Sequence, residues 1–145
     1  MNFKLQYRQA QENDIDFLLD LRIRTMTEHY INSNLPITEE SALQRVLYQF
    51  EKAHIIIVGD QPIGLLKIDR TDENIDVLQL QINPDQQGRG IGKSILEDII
   101  HEAKAAQKTV SLSVLKVNRA QKLYTTLGFK IIDEDQNSFM MKFSK

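Results

Sequence analysis

Two short stretches hold the residue types that could do chemistry. Residues 87–92 read Gln-Gly-Arg-Gly-Ile-Gly, and residues 118–129 read Asn-Arg-Ala-Gln-Lys-Leu-Tyr-Thr-Thr-Leu-Gly-Phe. A turn carrying Gly88, Gly90 and Gly92 that opens onto a helix leaves backbone amides without partners, and such amides bind phosphate. Glycine also lets a phosphate come in where a Cβ would otherwise stand. Arg89 and Lys93 add positive charge at the same point. The second stretch sets the amide of Asn118 at a helix start and the phenol of Tyr124 on one face of that helix. A phosphate cradle with a separate phenol suits a cofactor that has a pyrophosphate at one end and reacts at the other. Plainer readings stand beside these: a charged loop capping a helix, Asn118 as a cap alone, and Tyr124 as a core tyrosine packed on Leu123 and Leu127.

Two better-known phosphate motifs fail on spacing. A P-loop needs glycine five residues before the glycine that precedes lysine, and that position is Gln87. The dinucleotide pattern G-x-G-x-x-G matches Gly88 and Gly90, but its third glycine falls on Lys93. What remains is Gln87-x-x-Gly90-x-Gly92.

Composition narrows the class. The chain has 145 residues, enough for one domain with a full core. Hydrophobic residues make up 41% and charged residues 26%, and the 18 basic and 20 acidic side chains leave a net charge of −2. No basic field for nucleic acid stands out. Cysteine is absent, so disulfides, thiol nucleophiles and cysteine zinc sites are excluded. His29, His54 and His101 are far apart and show no ligand spacing, so no metal is expected. The N-terminal residues have no apolar core of a signal peptide, and no apolar run is long enough to cross a bilayer. A cytoplasmic protein without a membrane partner is expected.

The pattern along the chain predicts one α/β domain over residues 1–145. Phe3, Leu5 and Tyr7 alternate with Asn2, Lys4 and Gln6, which predicts a strand. Asn13 or Asp14 then caps a helix with Ile15, Leu18, Leu19, Ile23 and Met26 on one face, fading near Tyr30. Thr38 caps a second helix carrying Ala42, Val46, Leu47 and Phe50. Strands follow at 55–58, 63–68 and 77–82, separated by turns at Gly59-Asp60-Gln61-Pro62 and 69–74. Pro84 stops the third of these. Ile91, Ile95, Leu96, Ile99, Ile100 and Ala103 make a helical stripe from Gly90 to about Ala106. A strand at 109–114, a helix from Asn118 closed by Gly128, and strands at 130–132 and 139–143 complete the chain. The order is β-α-α-β-β-β-α-β-α-β-β. The two later helices are expected to join neighbouring strands in parallel sense.

Gln87-x-x-Gly90-x-Gly92, Asn118-Arg119-Ala120, Leu123-Tyr124, Gly128-Phe129 and Ile82-Asn83-Pro84 together resemble the GNAT superfamily of acetyl-CoA-dependent N-acetyltransferases. The likeness is good over residues 63–143 and rests on element order before that. It implies a mixed, mostly antiparallel twisted sheet with helices on both faces. It implies acetyl-CoA as cosubstrate, with its pyrophosphate on Gln87, Gly88, Arg89, Gly90, Ile91, Gly92 and Lys93. It further implies that Asn118 holds the pantetheine arm and that Tyr124 stands near the thioester sulfur as general acid. The thioester carbonyl would meet backbone amides near Leu80, Gln81 and Ile82, provided the neighbouring strands splay there.

The acceptor would be a primary amine of a small molecule or peptide, walled by Met26, His29 and Tyr30, which could equally pack the helix end. Gln79 and Gln81, two apart on one strand face, line an acceptor channel or merely a polar sheet face. The base is unread among Asp76, Glu28, His29, Glu39 and Glu40. Lys116 and Arg119 meet phosphate or water. A non-catalytic acyl-CoA sensor is the rival reading, and a nucleotide-binding module a weaker one. The last strand carries Phe139, Met140, Met141 and Phe143, apolar on both faces, so it lies inside the sheet or under a partner. A homodimer through the closing strands is expected.

Overall fold

The structure, a computed structural model, describes residues 4–36 and 38–144. Among them the elements run β1 (Leu5–Gln9), α1 (Ile15–Asn32), α2 (Glu39–Leu47), β2 (Ala53–Val58), β3 (Gln61–Arg70) and β4 (Asn74–Ile82). Then come α3 (Ile91–Ala105), β5 (Thr109–Leu115), α4 (Gln121–Leu127), β6 (Lys130–Glu134) and β7 (Ser138–Phe143). The strands form one mixed, mostly antiparallel sheet in the order β1-β2-β3-β4-β5-β7-β6, so the expected architecture and element order hold. The chain divides into two compact units, Met1–Lys67 with Gln79–Gly92, and Ile68–Leu78 with Lys93–Lys145.

In the first unit β1 pairs antiparallel with β2, and β2 with β3. Gly59 and Asp60, both at positive φ, make the two-residue turn between β2 and β3. The core consists of Ala10, Leu18, Leu21, Val46, Ala53, Ile55 and Leu65, with Phe17, Phe50 and Ile57 against it. Helix α1 therefore buries Leu18, Leu21 and Arg22, while Ile23 is exposed. The stripe is rotated from the one the periodicity picks out, because an arginine occupies part of the inward face. The start of α1 differs too. Asp14 is the N-cap residue, as expected, but its side chain does not bond the first turn; its carboxylate accepts from the Gln11 amide at 2.8 Å and from both Arg8 Nη atoms at 2.7 and 2.9 Å.

Thr38 does cap α2, its Oγ1 accepting from the Ser41 amide at 2.9 Å. The helix ends before Phe50, because Gln49 turns the chain at a φ of 47°. Leu47, expected inside, is exposed. Tyr7 is also exposed, since β1 is an edge strand. Asn2 and Phe3 lie outside the described residues.

In the second unit β4 and β5 pair in parallel from Asn74↔Thr109 to Val77↔Leu112, joined through α3. β5 pairs antiparallel with β7 along Val110–Leu115, and β7 pairs antiparallel with β6. Helix α4 thus does not join neighbouring strands: β7 folds back between β5 and β6. Apolar residues on both faces of β7 suit that inner position, with Met141 and Phe143 buried and Phe139 and Met140 partly so. β6 is the edge, exposed along its length, including Ile131 and Ile132. Gly128, at φ 107°, ends α4 in the left-handed conformation expected of it.

Candidate active site

The first unit carries the glycine turn. Asn83 Oδ1 accepts from the Asp85 amide at 3.0 Å and starts a short 3-10 turn over Pro84–Gln86. The Asn83 amide donates to the Ile63 carbonyl at 2.7 Å. Gln87 Nε2 donates to the Ile82 carbonyl at 3.0 Å, tying the turn back to the end of β4. Gly88 and Gly90 sit at φ 80° and 83°, where side-chain-bearing residues are strained. A Cβ at Gly88, Gly90 or Gly92 would meet nothing within 4 Å, so the bare backbone faces open space. The first turn of α3 holds no acidic residue to compete with an anion. The Arg89 guanidinium donates to Gln86 Oε1. These features fit a pyrophosphate.

Along β4, Gln79 and Gln81 are buried on one face, and Leu80 and Ile82 are partly buried on the other. The parallel ladder to β5 ends at Val77, so Leu80, Gln81 and Ile82 lie beyond it. A Cβ on Gly64 would collide with the Gln81 carbonyl oxygen, which requires glycine at that point of β3. Gln79 Nε2 donates to the Arg45 carbonyl at 3.1 Å. Lys67, fully buried, gives its ammonium to the same carbonyl at 3.3 Å, to Val46 at 3.1 Å and to Tyr48. Burial, with the charges of Arg22 and Arg45, pushes its pKa down to about 8. Arg22 donates to the Tyr30 hydroxyl, and its guanidinium lies 5.6 Å from the Tyr30 ring centre. Met26 and His29 are partly buried on the last turns of α1.

The second unit carries the amide and the phenol. Asn118 stands ahead of α4 rather than as its N-cap, which is Ala120. Its Oδ1 accepts from the Ala120 amide at 2.9 Å, and its backbone carbonyl accepts from Gln121 Nε2 at 3.1 Å. Gln121 also reaches the Lys116 carbonyl at 2.7 Å, which locks the turn. The Tyr124 ring meets Phe129 edge-on at 6.0 Å, and burial raises the pKa of its phenol. Lys93 is exposed on the first turn of α3. Lys116 is not left to solvent: it pairs with Glu134 at 2.5 Å and lies over the Phe139 ring. Asp76 accepts from Ser111 at 3.1 Å within a polar ladder of Asn74, Thr109 and Ser111 that links β4 to β5.

Arg22 and Lys67 were not among the candidates read from sequence. The signals were present: Lys67 interrupts the apolar run Ile63–Ile68, and Arg22 lies four residues after Leu18 on the inward face of α1. Among the described residues no group of three or more His, Cys, Asp or Glu could hold a metal ion. No helix there is long and apolar enough to cross a membrane.

A sequence model of the acetyltransferase (GNAT) domain matches residues 23–144. The chain belongs to the GNAT acetyltransferase family. Solved structures share the GNAT fold at low identity. The PaiA N-acetyltransferase of Thermoplasma acidophilum, in complex with coenzyme A, is 19% identical with a TM-score of 0.74, over 98% of this chain and 99% of that one. The ribosomal-protein-S18-alanine N-acetyltransferase of Escherichia coli is 18% identical, TM-score 0.68, over 97% and 95% of the two chains. Arabidopsis thaliana Naa50, in complex with the bisubstrate analogue CoA-Ac-MVNAL, is 14% identical, TM-score 0.65, over 97% and 99%. No curated protein sequence matches the chain. The GNAT match takes in Gln87–Gly92, Asn118 and Tyr124.

Proposed function

We propose that this chain, as a single GNAT domain, transfers an acetyl group from acetyl-CoA to a primary amine of a small molecule or peptide, by direct attack on the thioester. The observation that carries the reading is the open glycine turn Gln87–Gly92 at the head of α3. Coenzyme A in the Thermoplasma acidophilum structure and the CoA-peptide analogue in Naa50 support the cosubstrate. Gln87, Gly88, Arg89, Gly90, Ile91, Gly92 and Lys93 would hold the pyrophosphate, and Asn118 Nδ2 would donate to the pantetheine arm. The amides of Leu80, Gln81 and Ile82 would meet the thioester carbonyl, as an electrostatic clamp on the oxygen where charge develops.

Acetyl-CoA supplies an activated acyl carbon and a thiolate leaving group. The amine nitrogen bonds to that carbon, the carbon–sulfur bond breaks, and the amine's surplus proton passes to water. Tyr124 gives the proton of its phenol oxygen to the sulfur and takes one back from the water that received the amine's proton, so the cycle closes. Its raised pKa keeps it protonated at neutral pH. Because a thiol's ordinary pKa of about 8.5 lies below that of a phenol, the transfer is least uphill when charge on sulfur is greatest, so the phenol gives its proton late. A phenol at this position favours an enzyme over a mere acyl-CoA binder, since a binder needs no acid there.

A cytoplasmic location and a homodimer complete the proposal. The exposed Ile131 and Ile132 on edge strand β6 support the homodimer. Thermal unfolding with acetyl-CoA or ATP, followed by thiol release over a panel of amines, tests the function. Acetyl-CoA alone should raise the melting temperature, since a ligand bound only by the native state stabilises it. A rise with ATP and none with acetyl-CoA would overturn the reading.

A further inference from the structure

Four polar side chains are buried on the α1/α2 face of the first unit: Arg22 at 4% exposure, Lys67 at 0%, Gln79 at 8% and Gln81 at 6%. Lys67 is compensated. Its donors meet the last carbonyls of α2, the negative end of that helix. Arg22 has no carboxylate partner. It donates to the Tyr30 phenol oxygen, which is its one favourable electrostatic contact, and among the described residues it forms no salt bridge with a carboxylate. Glu51 is the acidic group whose charge reaches Lys67. A buried guanidinium with no anion is costly, because desolvation is not repaid.

The two glutamines show the opposite deficit. Oε1 of Gln79 and Oε1 of Gln81 are both buried without a hydrogen-bond partner. Each is an acceptor only, and leaving it unmet costs the desolvation of the group. They belong to the same cluster as the cations. Gln79 shares the Arg45 carbonyl with Lys67, and the charge of Arg22 acts on Lys67.

An anion receptor beside two N–H receptors describes one kind of guest. We propose that the acceptor amine carries a carboxylate, as a free amino acid does, with Arg22 meeting the carboxylate and Oε1 of Gln79 and Gln81 taking the two N–H groups of the amine. This rests on the N-acetyltransferase reading above. Residues two apart on a strand face stand roughly 6–7 Å apart. An amine nitrogen donating to two oxygens at its tetrahedral angle holds them roughly 5 Å apart, a separation that two glutamine side chains on that spacing reach by leaning together, so a single amine bridges the pair. Its lone pair is then the one direction left for attack. The surrounding Arg22 and Lys67 disfavour an ammonium, which supplies the neutral amine without a carboxylate base. They also repel a second cation, so a polyamine is a poor guest.

The test uses the full chain with acetyl-CoA and reads thiol release for three probes: a pool of standard L-amino acids, the same pool as carboxamides, and spermidine. The acids should exceed both others in kcat/KM by about tenfold or more, the worth of one charge-assisted hydrogen bond. In Arg22→Gln that preference should fall to near unity through KM, and Arg22→Lys should restore part of it. Equal or better turnover of the carboxamides or spermidine by the unmodified protein overturns the proposal, and that result does not need any variant to fold. So does an absence of turnover of the acids while acetyl-CoA still raises the melting temperature. Failure of acetyl-CoA itself to bind removes the acetyltransferase reading instead.

Discussion

Lys67 and Gln79 share one carbonyl. The ammonium on β3 and the side-chain amide on β4 both donate to the Arg45 oxygen, at 3.3 and 3.1 Å. Two neighbouring strands thereby grip the end of α2, and α2 in turn holds Val46 in the core. The cost of this arrangement falls on the lysine, whose charged form is desolvated.

Stability should therefore rise with pH between about 8 and the ordinary lysine value. In that window the unfolded chain binds the Lys67 proton and the folded one does not, so raising pH favours folding; below about 8 both forms are protonated and the contribution is flat. A gain of about 1–2 kcal/mol is expected across it. Lys67→Met should flatten the rise and lower stability at neutral pH, because three carbonyls lose their donor. Urea midpoints at about pH 7.5 and about pH 10 measure both effects. An unchanged slope in the variant would assign the rise to another group.

Gly92→Asp should abolish the acetyl-CoA-dependent rise in melting temperature while leaving the unliganded protein as stable or slightly more so. The new Cβ meets nothing within 4 Å, and a carboxylate at the N-terminus of α3 is favourable there by about 0.3–1 kcal/mol. The same carboxylate repels phosphate. Gly90→Asp should lose binding as well, with added strain at its positive φ. Retained acetyl-CoA affinity in a folded Gly92→Asp protein would move the pyrophosphate elsewhere.

Tyr124→Phe should keep the fold, because its ring contact with Phe129 survives, and should keep acetyl-CoA affinity. Turnover should fall by about 10²-fold, the lower end for general acid catalysis, since water replaces part of the proton supply. Saturated kcat with an active amine is the measurement. An equal kcat would leave Tyr124 as packing alone.

Asp14 should contribute to acid sensitivity. Its two hydrogen bonds from Arg8 lower its pKa, so the pairing is present above the ordinary carboxylate value and is lost as pH falls through the depressed one. Arg8 is half exposed, so Asp14→Asn should cost only about 1 kcal/mol near neutrality. The difference between the two proteins should vanish at low pH in thermal unfolding; a constant gap would trace the loss to the Gln11 amide instead.

What the sequence determined by itself was local. Thr38, Pro84, Gly128 and the apolar stripe of α3 act within a turn or two of chain, through capping, a missing donor, a positive φ and a helical period. The candidate site was legible to the same extent: Gln87–Gly92 because a glycine turn is contiguous, and Asn118 with Tyr124 because they lie six residues apart, in the turn before one short helix and within it. Tertiary structure decided the rest. Local pattern is the same whether β6 or β7 pairs with β5; only the ladder Val110↔Phe143 to Leu115↔Ser138 puts β7 inside. Arg22 lies on an apolar face and Lys67 in an apolar run, and each alone reads as an exception. Their meaning depends on which oxygens stand opposite. Those oxygens belong to Tyr30, Val46 and Tyr48, separated from their partners by 8, 21 and 19 residues. Charge burial is settled by such contacts between distant segments, and no period or propensity along the chain encodes them.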